Sequence, residues 1–249
     1  MKSFLLRKCR IAAVFILPYL FLTISLHAQN GTEENSQEIM EEYDWPNLNR
    51  FRDANEKLLP PAADEKRVVF MGNSITEGWL QNYPEFFEEK PYVNRGIGGQ
   101  TTPQMLIRFR ADVINLEPAA VVILAGVNDI AGNTGPSTLK MIEDNLFSMA
   151  ELARVNGIRV ILASILPAYD FPWRPGLEPA GKIVTLNNRI RSFAEKNNMT
   201  YLDFFSAMAD DRNGMKPEYS EDEVHPNREA YKVMSVLAEE AIEKALSVD

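Results

Sequence analysis

AAVVILAG, residues 119–126, carries no polar side chain and is rich in β-branched residues. A strand with one wet face alternates apolar and polar positions, whereas a strand covered on both faces does not. The run therefore predicts a strand inside a sheet that has layers above and below it. Working outward, RVVFMG (67–72) reads as a strand, IRVILASI (158–165) has the same unbroken character, YVNRG (92–96) is shorter and MTYLDF (199–204) is weaker. Between these runs, TTPQMLIRFRADVINL, STLKMIEDNLFSMAELARVNG and AGKIVTLNNRIRSFAEKNN place apolar residues at helical spacing, and NREAYKVMSVLAEEAIEKAL gives a last helix. Strand and helix in this alternation predict an α/β fold, with parallel strands and helices on both faces.

In such sheets, binding groups collect beyond the carboxyl ends of the strands. The unusual polar residues fall there. VVFMGNSITEGW (68–79) breaks from its strand into Asn73, Ser74 and Thr76, with Gly72 and Gly78 on either side. Gly98 and Gly99 follow the second strand, Asn128 and Asp129 the third, and Asp222 and His225 lie past the fifth, just before the final helix.

The 249 residues suffice for one full core, and 45% hydrophobic with 24% charged residues is an ordinary globular composition. A net charge of −9 argues against a nucleic-acid footprint. Lys2, Arg7, Lys8 and Arg10, then the 16-residue apolar run 11–26 and Ala28, predict a secretory signal peptide over residues 1–28. The alternative is an uncleaved anchor, for which the run is short and contains Pro18. Cleavage removes Cys9, the single cysteine, and four basic residues, taking the charge from −9 to −13. The expectation is a periplasmic or secreted protein with no stable membrane insertion, comprising an acidic extension (29–66) that packs on a domain over 67–249. Of the two histidines, His27 lies in the signal, so no multi-histidine zinc site is available; no metal or cofactor is expected.

Asp222 precedes His225 by three residues, so one loop supplies both. A carboxylate on one imidazole nitrogen fixes the tautomer and leaves the other nitrogen as a base. Ser74 is the natural partner, because a hydroxyl is a poor nucleophile until its proton is taken. Backbone N–H groups near Ser74 and Gly99, with the Asn128 side chain, suit a developing oxyanion. Asp129 is expected to hold its own loop. Thr76 stands where a GxSxG elbow needs glycine, and GIGGQ lacks both the P-loop lysine and the full dinucleotide pattern.

GNSITEG, NRGIGGQTT, LAGVND and DEVHPN, in that order, resemble the blocks of the SGNH hydrolases, also called GDSL-like esterases and lipases. The resemblance spans residues 67 to about 246 and implies a three-layer α/β/α sandwich around a five-stranded parallel sheet. It implies Ser74 as nucleophile, Ser74, Gly99 and Asn128 as oxyanion donors, and His225 as a base oriented by Asp222. The chain departs from the family name in carrying Asn73 where the family has aspartate.

For the substrate, LPAYDFPWRPGLEPAGKI (166–183) leaves strand four at the same edge and offers Tyr169, Phe171, Trp173 and Arg174. Asn73, Trp79, Tyr169, Trp173 and Arg174 are the candidate substrate-binding residues; the alternative for the aromatics is that they cover the end of the core. The resemblance extends to bacterial carbohydrate acetylesterases and the platelet-activating-factor acetylhydrolase-like branch. It implies a short-chain esterase, and with the export signal the expected reaction is removal of O-acetyl groups from carbohydrates by an exported serine esterase, the substrate being an acylated carbohydrate or other small ester. A lysophospholipase or broad arylesterase, and a non-catalytic glycan-binding protein on the same fold, stand as alternatives.

Overall fold

The computed structural model describes residues 43–247, so the expected signal peptide, Cys9 and the start of the extension lie outside the described residues. The described fold belongs almost wholly to the unit that begins at Trp45. A 3-10 turn at Leu48–Phe51 leads into α1 (Arg52–Lys57). Then come β1 (Val68–Gly72), α2 (Ser74–Asn82), β2 (Tyr92–Gly96), α3 (Thr102–Asp112), β3 (Ala120–Leu124) and the one-turn α4 (Val127–Ile130). The remainder is α5 (Leu139–Val155), β4 (Arg159–Ala163), α6 (Pro179–Lys196), β5 (Thr200–Leu202), α7 (Phe204–Met208) and α8 (Arg228–Leu246).

Among the described residues, five strands form one parallel sheet in the order β2-β1-β3-β4-β5. β1 and β3 are buried at every position, as unbroken apolar runs require. Helices α2 and α8 cover one face, and α3, α5 and α6 the other. Their inward faces follow helical spacing: α5 buries Ile142, Leu146, Met149, Ala150 and Ala153. This is the expected three-layer sandwich.

The chain runs from β1 to one side of the sheet for β2 and then to the other side for β3. That reversal opens a crevice beyond the carboxyl ends of β1 and β3, where ligands bind in open α/β sheets. Helix α2 crosses close over this end. A Cβ added to Gly96 would sit 2.1 Å from the Glu77 nitrogen, so only glycine lets β2 and α2 approach. Trp79 is the anchor of α2. It is 1% exposed, stacks on Phe86 at 4.8 Å, meets Phe70 edge-on at 5.6 Å and donates its Nε1–H to Ser235 Oγ. Its expected role in substrate binding is therefore corrected: five residues beyond Ser74, it lies on the face of α2 turned to the core.

Arg108 is fully buried at the same end. It donates to Gln100 Oε1 (2.6 Å), Asp112 Oδ2 (2.9 Å), the Gly72 carbonyl (3.1 Å) and the Arg95 carbonyl (2.8 Å). Burial pushes its guanidinium below the usual range, and the Asp112 carboxylate works against that shift. One side chain thus ties β1, β2, α3 and the loop after β2 together. The segment 45–57 docks on the same corner: Asn55 Oδ1 accepts from Arg95 Nη2 (2.7 Å) and Asn55 Nδ2 donates to Asp112 Oδ1 (2.7 Å).

Candidate active site

Ser74 is the first residue of α2, placed there by a cap. Asn73 Oδ1 accepts from the Ile75 N–H at 3.0 Å, satisfying one of the helix's open donors. Ser74 Oγ lies 3.2 Å from His225 Nε2. His225 Nδ1 lies 2.7 Å from Asp222 Oδ2. The other oxygen, Asp222 Oδ1, accepts from the N–H groups of His225 (2.7 Å) and Val224 (3.0 Å) and from Ser220 Oγ (3.1 Å). Partial burial pushes the Asp222 carboxyl up, but the His225 N–H, the imidazole and the Val224 N–H outweigh it and hold the group down at about 2. Asp222 therefore stays ionised at neutral pH and keeps its proton-free face toward the ring.

Two anchors set the distance between serine and histidine. Asn227 closes the loop by donating its N–H to the Tyr219 carbonyl (2.8 Å), and its Oδ1 caps α8 by accepting from Ala230 N (3.1 Å). One turn into α8, the buried Tyr231 hydroxyl donates to the Ile75 carbonyl at 2.7 Å. Helix α8 is thereby pinned to the residue that follows the serine.

Gly99 has φ +76°, a conformation other residues adopt only under strain, and a Cβ there would meet nothing. Its carbonyl accepts from Asn133 Nδ2 (3.1 Å). Asn128, 6% exposed in α4, donates Nδ2 to the Gln100 carbonyl at 2.9 Å, leaving the second hydrogen of that amide for another acceptor. Ser74, Gly99 and Asn128 thus follow β1, β2 and β3, which are adjacent in the sheet. Asp129 faces away from this trio. Its carboxylate accepts from the Thr102 N–H (3.0 Å) and Thr102 Oγ1 (2.6 Å), fixing the start of α3. Burial pushes Asp129 up to about 6 against the pull of those hydrogen bonds.

Residues 70–233 match the GDSL-like lipase/acylhydrolase family. The chain belongs to that family. A GDSL-like lipase from Bacteroides thetaiotaomicron is 48% identical and superimposes with a TM-score of 0.79, over 81% of this chain and 99% of that one. The uncharacterised lipoprotein YqeF of Bacillus subtilis is 32% identical over 120 residues, 41% of this chain and 49% of YqeF. Esterase TesA of Pseudomonas aeruginosa is 32% identical over 120 residues, 43% of this chain and 58% of TesA. The match thus spans only about half the length of these two relatives.

The remaining expected site residues separate. Trp173, 49% exposed, has its ring centroid 5.9 Å from that of His225, and the buried Phe171 stacks behind it at 5.3 Å. Tyr169 instead lies under the Arg212 guanidinium, 4.7 Å from its ring. Arg174, exposed, anchors its own loop, since its Nη1 donates to the Ala131 carbonyl and to the Gly132 carbonyl (2.9 Å). Asn73 is corrected. At 1% exposed it lies beneath the surface of this GDSL-family site and acts on the loop, and its Nδ2 has no hydrogen-bond partner among the described residues.

Sequence reasoning missed Glu77, Asn133, Gln100 and Arg108. A signal existed for one of them: once Asn73 is read as a cap, three-residue spacing puts Glu77 on the Ser74 face of a helix.

Proposed function

We propose that the protein is an exported serine esterase that removes short acyl groups, foremost O-acetyl groups on carbohydrates. The observation that carries the esterase reading is the continuous chain from Ser74 Oγ through His225 to Asp222. His225 Nε2 takes the proton as Ser74 Oγ attacks the ester carbonyl, and Asp222 stabilises the imidazolium that results. The carbonyl oxygen becomes an oxyanion facing the N–H groups of Ser74 and Gly99 and the Asn128 amide. His225 then protonates the leaving alcohol, and a water activated by the same nitrogen releases the acid. The names of TesA, an esterase, and of the Bacteroides lipase favour ester hydrolysis.

The carbohydrate reading rests on Trp173, a half-exposed indole beside the base and backed by Phe171, which suits stacking on a sugar face. Export rests on the basic and apolar start of the chain, with a lipoprotein among its relatives. No described helix is long and apolar enough to cross a membrane. The test compares kcat/KM on acetylated xylan, pectic and amino-sugar oligomers with a chain-length ladder of simple esters. One glycan well above the simple esters is expected. Greater efficiency on long-chain lipid esters than on every acetylated sugar would replace the carbohydrate reading with a lipase or lysophospholipase reading.

A further inference from the structure

Glu77 is a partly exposed carboxylate one helical turn from the nucleophile, and the triad makes no use of it. Its Oε2 accepts the Gly98 N–H at 2.9 Å, and its Oε1 lies 3.6 Å from Arg50 Nη2. Gly98 sits between this carboxylate and the serine: a Cβ built on it would be 2.9 Å from Glu77 Oε2 and 3.9 Å from Ser74 Cβ. The loop after β2 therefore touches both residues.

The hydrogen bonds along that loop alternate in a telling way. The peptide that carries the Gly98 N–H is held by Glu77 on that side and by the Gln100 N–H on its Ile97 carbonyl. The peptide that carries the Gly99 carbonyl is held by Asn133. The next carbonyl, of Gln100, is held by Asn128, and the Gln100 side chain is fixed at both ends, by Arg108 and by the Pro46 carbonyl. Between the pinned peptides lies the one joining Gly98 and Gly99. Among the described residues the Gly99 N–H of that peptide has no acceptor. Two adjacent glycines make this plane easy to rotate, so its direction is set by the turn that the Gln100 N–H closes on the Ile97 carbonyl (3.3 Å) and by the hydrogen bond from Gly98 to Glu77. A donor that stabilises an oxyanion has to be aimed before the reaction, because reorientation at the moment of attack forfeits the gain.

We propose that Glu77 is a positioning residue for the oxyanion hole. By accepting the Gly98 N–H it fixes the 98–99 peptide so that the Gly99 N–H faces the ester oxygen, and its pairing with Arg50 links the segment 45–57 to the same loop. This rests on the serine-esterase reading. The pairing with Arg50 is half-exposed and therefore weak, so the hydrogen bond and not the charge carries the effect. A bare negative charge beside a developing oxyanion would in fact oppose catalysis.

The test measures kcat, KM, thermal midpoint and the pH–rate profile on 4-nitrophenyl acetate for Glu77→Leu, Glu77→Gln and Ser74→Ala. Losing the aim of one oxyanion donor should lower kcat about tenfold to a hundredfold in Glu77→Leu. KM should stay within about twofold, and the acidic limb of the profile should not move, because His225 and Asp222 are untouched. Glu77→Gln keeps an oxygen for the Gly98 N–H and should restore kcat to wild type or above. If Glu77→Leu does not fold, Glu77→Ser, too short to reach Gly98, carries the same expectation. Wild-type kcat in the leucine or serine variant, a change confined to KM, or a glutamine variant as impaired as the leucine one would overturn the proposal. Turnover surviving in Ser74→Ala would instead overturn the serine reading itself.

Discussion

Replacing Arg108 with methionine should destabilise the fold and loosen the site together. The change keeps most of the aliphatic volume and deletes four hydrogen bonds, to Gln100, Asp112, Gly72 and Arg95. Gly72 keeps a partner, because its carbonyl also accepts from Ile97 N at 3.2 Å. Asp112 does not fare as well. It is 1% exposed, and without Arg108 its carboxylate retains a single hydrogen bond, from the Asn55 amide, and the longer-range attraction of Arg95. Leaving one member of a buried pair uncompensated costs about 3–5 kcal/mol. At about 2–4 °C per kcal/mol for a domain of this size, the thermal midpoint should fall by roughly 6–20 °C. Differential scanning calorimetry reads this directly. The second arm is Arg108→Met with Asp112→Asn, which removes the stranded charge; it should recover part of the loss, so the double variant is more stable than the sum of the singles. A single variant within 2 °C of wild type (roughly 0.5–1 kcal/mol on the same scale), or strictly additive effects, would refute the reasoning.

Other expectations are as specific. Asn128→Ala should lower kcat by on the order of a hundredfold or more with little change in KM, read by steady-state kinetics on a simple acetyl ester. Asp129, held up at about 6 against an unfolded value near 3.9, favours the folded state only while protonated. Its contribution is therefore full below about pH 4, is lost as pH rises to about 6, and amounts to about 3 kcal/mol at 1.36 kcal/mol per unit. Urea unfolding of Asp129→Asn across that window should show a flatter pH dependence than wild type. Trp173→Ala should raise KM for an acetylated oligosaccharide while leaving 4-nitrophenyl acetate within a few fold; equal effects on both would remove the indole from sugar recognition.

The layers and the strands that build the sheet were legible because burial on both faces leaves an unmistakable apolar run, whereas the order of the strands was not. β1, β3 and β4 each fall inside the stretch marked by composition alone. The loops at the carboxyl ends were legible for a different reason: polar residues and glycines gather where apolar runs stop. What sequence could not convey was direction. Trp79 and Trp173 are both aromatics near a candidate catalytic residue, yet one is the core anchor of α2 and the other lies half-exposed beside His225. Helical phase turns Trp79 inward while Trp173 sits on a loop, and α2 itself is hidden by the threonine and the glycine in its sequence. Arg108 was illegible because nothing in a pattern tells a buried arginine from a solvated one; its partners come from β1, β2 and the loop after β2. Arg174 shows the converse, an exposed arginine whose role is to hold two carbonyls of the turn after α4.

The identity of the nucleophile is tested most directly by inactivating the protein with a fluorophosphonate and mapping the adduct by peptide mass spectrometry. The geometry of Ser74 against His225 predicts one adduct, on Ser74, formed in proportion to the activity lost. Complete inactivation with the adduct on another residue, or undiminished turnover with Ser74 fully modified, would contradict it.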